Sequence, residues 1–412
     1  MLTKNLILGL TTLAGLVSAN PLYKRQRQLK FNFNDDKVRG VNLGGWLLLE
    51  PWITPSFFDN EPDWVVDEYT LGQHLGRDEY LRRLVPHWEN FVRPEDLDQI
   101  AAAGMNHIRV PVGYWSVIPR EGDPYVDGAY PYLGRVLDWA NDRGLKVMVD
   151  LHGAHGSQNG FDNSGQRGDV RFGQGSSIEE TRTVLRKLRD DLANHPAVST
   201  IQVVNEPQAA QIGADKVEQL YRDTWGDFRG SPIATTFHDG FLGVNAWNGF
   251  GAGMDGLLLD THHYEIFNND QLRLSPQDHK GTACAFGDQM ASNNLWTISG
   301  EWTGAITDCT KHLNGRGLGA RYDGSFTRGT ETSSYIGSCD GKREGTVAGL
   351  SDADKSNIKG FINAQLDAYE KKTGWIFWTW KTESSPEWDM QELLQNGIFP
   401  NPVTSRNDRG CY

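Results

Sequence analysis

The chain has 412 residues, with 53 Asp and Glu against 40 Lys and Arg, a formal net charge of −13 and a pI near 5.3. That acidity argues against nucleic acid or an anionic membrane surface as a partner. It bears on partners, not on fold, which has to come from the order of elements along the chain.

The first nineteen residues have the pattern of a signal peptide: Lys4, an apolar core from Leu6 to Val17, and the small-residue site Val17-Ser18-Ala19. Residues 20–25 then read as a short propeptide ending at the dibasic pair Lys24-Arg25, with the mature chain starting near Gln26. No later stretch has eighteen uncharged apolar residues, and the sequence ends in Asn407-Asp-Arg-Gly-Cys-Tyr412, without a lipid-anchor signal. The expected location is outside the cell, secreted or held non-covalently at the wall. The sequence contains no Asn-x-Ser/Thr acceptor for N-glycosylation.

Strand-like segments follow at Val38–Leu43, His107–Val112, Lys146–Leu151, Thr200–Asn205, Pro232–Phe237, Gly256–Thr261, Leu295–Gly300 and Gly374–Trp380. Helical patterns separate most of them. One starts at Pro94 and stops at Gly104, with Pro in the first turn and Gly past the last. Leu133, Val136, Leu137 and Ala140 form an i, i+3, i+4, i+7 stripe ending at Gly144. Leu185, Leu188 and Leu192 repeat that spacing after Ser176-Ser177, and Ile358, Phe361, Ile362 and Leu366 do so before Gly374. Eight alternating units over 26–412 predict one (β/α)₈ barrel with enlarged loops and no second domain. The fifth unit, Pro232 to Gly253, is rich in glycine and poor in helix signal. The stretch Thr303–Gly349 reads as a large loop on the C-terminal side of the seventh strand, braced by a disulfide.

Cys284, Cys309, Cys339 and Cys411 all lie in the last third of the sequence. An even number in an exported chain implies two disulfides, with three possible pairings. Cys411, one residue from the end, is expected to tie down the tail.

Two of the expected strands end in a carboxylate. Glu206 closes Thr200-Ile-Gln-Val-Val-Asn-Glu-Pro207, and Glu301 closes Leu295-Trp-Thr-Ile-Ser-Gly-Glu-Trp302. The C-terminal ends of barrel strands face the active-site mouth, and cleavage of a glycosidic bond needs two carboxylates there. Each Glu alone could as well be a solvated loop-end charge. Their pairing at matching strand ends favours chemistry.

Five segments occur in barrel order: Arg39-Gly-Val-Asn-Leu-Gly-Gly-Trp-Leu-Leu-Leu-Glu-Pro-Trp52, His152-Gly-Ala-His-Gly-Ser-Gln-Asn-Gly-Phe-Asp-Asn-Ser164, Val204-Asn-Glu-Pro207, His262-His-Tyr264 and Gly300-Glu-Trp302. Together they resemble the fungal exo-β-1,3-glucanases of glycoside hydrolase family 5 over essentially the whole mature chain. The resemblance implies Glu206 as acid/base and Glu301 as nucleophile of a retaining enzyme, with their carboxyls roughly 5–5.5 Å apart. It implies Asn205 on the sugar 2-hydroxyl, Arg109 and Tyr264 beside Glu301, and His152 and His262 lining the sugar subsite. Glu50 would grip hydroxyls at the non-reducing end, with Asp162 and Asn163 in the neighbouring loop. Trp380 would lie under the cleaved glucose, with Trp375 and Trp378 in the core. Phe161 and Phe267 would sandwich the next sugar at the entrance. One departure stands out, His155, where the family tends to have Pro.

The spacing of His152 and His155, and the adjacent His262-His263, invites a metal reading. A glycine-rich loop is a poor zinc scaffold, however, and no third ligand falls at metal spacing. No nucleotide-binding loop is present, so no cofactor is expected. The implied partner is β-1,3-glucan, acted on by a monomer that releases glucose from the non-reducing end, with transfer to a second sugar possible. The rivals are an endo-acting or β-1,6-directed enzyme of the same barrel family, and a non-catalytic wall-binding barrel. Loss of either Glu would mark the last of these, and neither is lost.

Overall fold

The structure is a computed structural model that describes residues 27–406 and 410–411. The expected signal peptide and dibasic site lie outside the described residues. Eight parallel strands close into a barrel in the order β1-β10-β7-β6-β5-β4-β3-β2. These are β1 (Val38–Asn42), β2 (His107–Gly113), β3 (Lys146–Gly153), β4 (Val198–Gln202), β5 (Ala234–His238), β6 (Leu257–His263), β7 (Trp296–Trp302) and β10 (Gly374–Phe377). Closure is made by β1, whose Val38 to Val41 run in register with Gly374 to Phe377. A two-stranded hairpin, β8 (Thr327–Arg328) with β9 (Glu331–Thr332), sits in the long insert after β7.

The helices sit where punctuation and periodicity place them. Pro94–Ala102 begins with proline in its first turn, while Asp96 accepts from the Arg93 backbone N–H. Ser177–Leu192 buries Val184, Leu185, Leu188 and Leu192 against the barrel. The fifth unit has no full helix after its strand, only a short 3₁₀ turn, Val244–Trp247. The sequence reading did not place the 23-residue helix Glu68–Asn90. Its start is well capped, since Asp67 accepts from the Thr70 backbone N–H. Gly76 at φ 69° and Pro86 interrupt its interior, and they hide the helical period.

The barrel floor is apolar. Val38, Met148, Ala234, Leu258, Ile298 and Ile376 pack together there, with Phe33 beneath them. One step up the strands the interior turns polar, and this layer carries the site.

The four cysteines pair as Cys284–Cys411 and Cys309–Cys339. The first ties the tail to the helix Pro276–Ser292; the second braces the insert after β7. Cys284 and Cys411 are 127 residues apart, so the bond removes much loop entropy from the unfolded chain. Replacing both by Ser should lower the urea-unfolding free energy by about 2–5 kcal/mol. Turnover by the folded variant should be unchanged, because this bond lies on the outer helices.

Candidate active site

The polar layer is organised by one buried cation. Arg109 on β2 is fully buried and uses its whole guanidinium. Its Nη1 donates to Glu301 Oε1 at 2.9 Å and to Asn42 Oδ1 at 2.9 Å. Nε donates to Gln202 Oε1 at 2.9 Å, and Nη2 donates to Asn205 Oδ1 at 2.7 Å and lies 3.1 Å from Asp150 Oδ2. Burying an unpaired guanidinium would be prohibitive, so two carboxylates accompany it. Asp150 in turn holds His152, with Nδ1 of the ring 2.6 Å from Asp150 Oδ2. Donation from Nδ1 leaves Nε2 as the lone-pair nitrogen, facing the Asn205 amide at 3.5 Å.

Asp260 plays the same part on β6. It accepts from Gln202 Nε2 at 2.9 Å and from the Gly300 backbone N–H at 2.8 Å, and contacts His262 Nε2 at 3.3 Å. A Cβ at position 300 would come within 2.1 Å of Asp260 Oδ1, which explains the glycine just before Glu301. Only Gly lets the backbone approach that closely.

Above this layer opens a cavity of about 440 Å³. Glu206 and Glu301 face each other across it. His262 Nδ1 lies 2.7 Å from Glu206 Oε1 and 3.3 Å from Glu301 Oε2. The two facing oxygens are therefore no more than about 6 Å apart. Glu206 sits at φ 46°, a left-handed conformation unusual for a residue with a side chain. Asn163 Nδ2 donates to Glu206 Oε2 at 3.2 Å, and the Tyr264 hydroxyl donates to Glu301 Oε2 at 2.9 Å.

The charges are interlocked. Burial works against a charged His262, but Glu301, Asp260 and Glu206 around the ring hold it well above the usual imidazole value. Burial also pushes Glu206 up, and the hydrogen bond and charge of His262 bring it below the usual carboxylate value. Glu301 is raised by burial, with the His262 and Arg109 charges opposing. These opposite directions favour the imidazole over Glu206 as the holder of the proton between them. Moving it across the 2.7 Å contact gives neutral His262 and a protonated Glu206, with no change in the total proton count.

Glu50 accepts from Trp52 Nε1 at 2.9 Å, and burial with the nearby Asp162, Glu301 and Glu206 charges raises its carboxyl well above the ordinary value. Burial also pushes Asp162 up to about 7, and its Oδ2 has no protein partner. Phe161 and Phe267 both line the cavity.

Trp380 is not at the site. Strand β10 ends at Phe377, so the inward alternation stops before residue 380. The Trp380 indole turns into the core instead and donates Nε1–H to Asp96 Oδ1 at 3.0 Å. Trp378, expected in the core, takes the inward place, lining the cavity and stacking on His152 at 5.4 Å and 9°. Trp375 is in the core as expected. The reading also missed Trp52 and Phe241 on the cavity wall, and Asn42, Asp150, Gln202 and Asp260 beneath it. Asp150 and Asp260 did leave a signal, a carboxylate inside an otherwise apolar strand.

His155 stacks on Tyr114 at 3.7 Å, buried and apart from the cavity wall. Among the described residues, Glu206, His238 and His262 are the groups close enough to share an ion. They fit one poorly. The Gly240 backbone N–H donates to His238 Nδ1, which puts the proton on Nε2, and both His262 nitrogens face carboxylates.

Residues 76–233 match the sequence profile of the cellulases, glycosyl hydrolase family 5. A glucan 1,3-beta-glucosidase from Blumeria graminis is 48% identical over 402 residues, covering 96% of this chain and 93% of that one. A relative from Emericella nidulans named "Probable glucan 1,3-beta-glucosidase A" is 50% identical over 90% of this chain and 92% of its own. Among solved structures, rutinosidase from Aspergillus niger superposes with a TM-score of 0.70 at 19% identity, over 90% of this chain and 99% of that one. That last likeness carries the fold; the first two carry the lineage, and with them this chain belongs to glycosyl hydrolase family 5.

Proposed function

We propose that this chain is a secreted, retaining exo-β-1,3-glucosidase that releases glucose from the non-reducing end of β-1,3-glucan. The observation that supports the reading is the Glu206–His262–Glu301 bridge, which brings together the two carboxylates that a double displacement needs. Relatives named glucan 1,3-beta-glucosidase at 48% identity support the substrate class. The insert after β7 supports exo action, since its Leu313, Leu318 and Phe326 wall one side of the cavity, and a walled pocket receives chain ends. Two disulfides and the signal-peptide pattern support export. No helix among the described residues is long and apolar enough to cross a membrane.

In this mechanism Glu301 attacks the anomeric carbon while Glu206 gives its proton to the leaving oxygen. Arg109 and Tyr264 stabilise Glu301 as an anion before attack. Glycosylation removes the Glu301 charge, and Glu206, now deprotonated, takes a proton from the incoming water. A sugar held between Phe161 and Phe267 can replace that water, giving transfer instead of hydrolysis.

An NMR time course on laminari-oligosaccharides should show β-glucose first, and Glu301→Gln should abolish its release. Glucose appearing first as the α-anomer would overturn the nucleophile assignment, and mixed oligosaccharides would overturn exo action. Replacing His262 by Gln should lower kcat/KM by about 10²–10⁴-fold. In the native site the shared proton rests on an imidazole held well above its ordinary value, so the alkaline limb of the profile lies high. Without that ring the proton sits on a carboxyl, and the limb should move to lower pH. A limb that stays in place would remove His262 from the proton path.

A further inference from the structure

One exposed cation at the rim of the cavity lacks a counterion. Arg328 ends β8 and is paired in the hairpin register with Glu331 of β9. The Glu331 carboxylate turns away and accepts from Arg321 Nη2 at 3.3 Å. Among the described residues, no carboxylate comes within ion-pair distance of Arg328. Its guanidinium lies over the Phe161 ring instead, 5.6 Å from the centroid, and both residues line the cavity.

The hairpin is held firmly enough to make that placement specific. Phe326, two residues before, is buried beneath the Arg321 guanidinium at 3.7 Å. The Cys309–Cys339 bond closes the insert that contains both. Arg328 and Phe161 together thus present a cation and an aromatic ring to the cavity. Among the described residues none accepts from its guanidinium N–H groups, and their planar fork suits neighbouring hydroxyls on a saccharide.

We propose that Arg328 is a specificity-determining residue for the leaving-group side. It fixes Phe161 as a platform and donates to hydroxyls of glucosyl units beyond the scissile bond. This rests on the glucan-hydrolase reading given above. An aromatic leaving group can lie against Phe161 but offers no hydroxyls to Arg328, whereas an oligosaccharide does.

The test compares laminaritriose with 4-nitrophenyl β-D-glucoside for the native protein and for Arg328→Ala, Arg328→Met and Arg328→Lys. Arg328→Ala and Arg328→Met should raise KM for laminaritriose about tenfold with kcat little changed, and should lower the share of transfer products. Arg328→Lys should recover part of that loss, and kcat/KM for the aryl glucoside should fall far less than that for laminaritriose in every variant. Equal losses on both substrates, or an unchanged laminaritriose KM, would overturn the proposal. Failure of the native protein to release glucose from laminaritriose would instead overturn the reading on which it rests. The site is an exposed hairpin position, so unchanged thermal unfolding is expected and separates a binding effect from a folding one.

Discussion

The site depends on the burial of a single positive charge. Arg109 has no contact with solvent, yet it links four other strands, through Asn42 on β1, Asp150 on β3, Gln202 on β4 with Asn205 just past its end, and Glu301 on β7. Removing any one partner would strand charge or hydrogen-bonding capacity in a medium that cannot solvate it. The geometry of the upper barrel is thereby over-determined. Glu301 is held in one place by Arg109 from below and by Tyr264 from the side, before any ligand arrives. Preorganisation of this kind is what makes fixed dipoles and charges effective toward a transition state.

A second layer of order comes from protons. Three carboxylates, Glu206, Asp260 and Glu301, crowd one imidazole, and the ring answers by staying charged. Glu206 and His262 are then better described as one proton-holding unit than as an acid beside a bystander. A unit of this kind can hold its proton on either partner. No large movement of protein groups is needed for the exchange.

Much of this was legible in the sequence, for physical reasons that differ by element. The barrel was readable because strand and helix signals alternate eight times and because Pro94, Gly104 and Gly144 punctuate cleanly. Glu206 and Glu301 stood out because they close two apolar strands at matching ends of the barrel. Trp380 was misplaced because the eighth strand was read through to residue 380, whereas it stops at Phe377. The helix Glu68–Asn90 was hidden by its own Gly76 and Pro86. Arg328 gave no signal, since its meaning arises only from what the insert brings near Phe161. Contacts between a loop and a distant strand end are set by tertiary packing, and no local pattern encodes them.

Closure of the barrel also has a consequence in time. The first strand has two partners, and one of them, β10, begins at Gly374, more than three hundred residues later. During synthesis β1 therefore waits with one edge unpaired, a row of open donors and acceptors that any extended chain could join. The last thirty-odd residues complete the ring and then fasten to it through Cys411. A truncated chain would lose the strand that seals the sheet as well as its tail, so premature termination is expected to expose a sticky edge rather than yield a smaller working barrel.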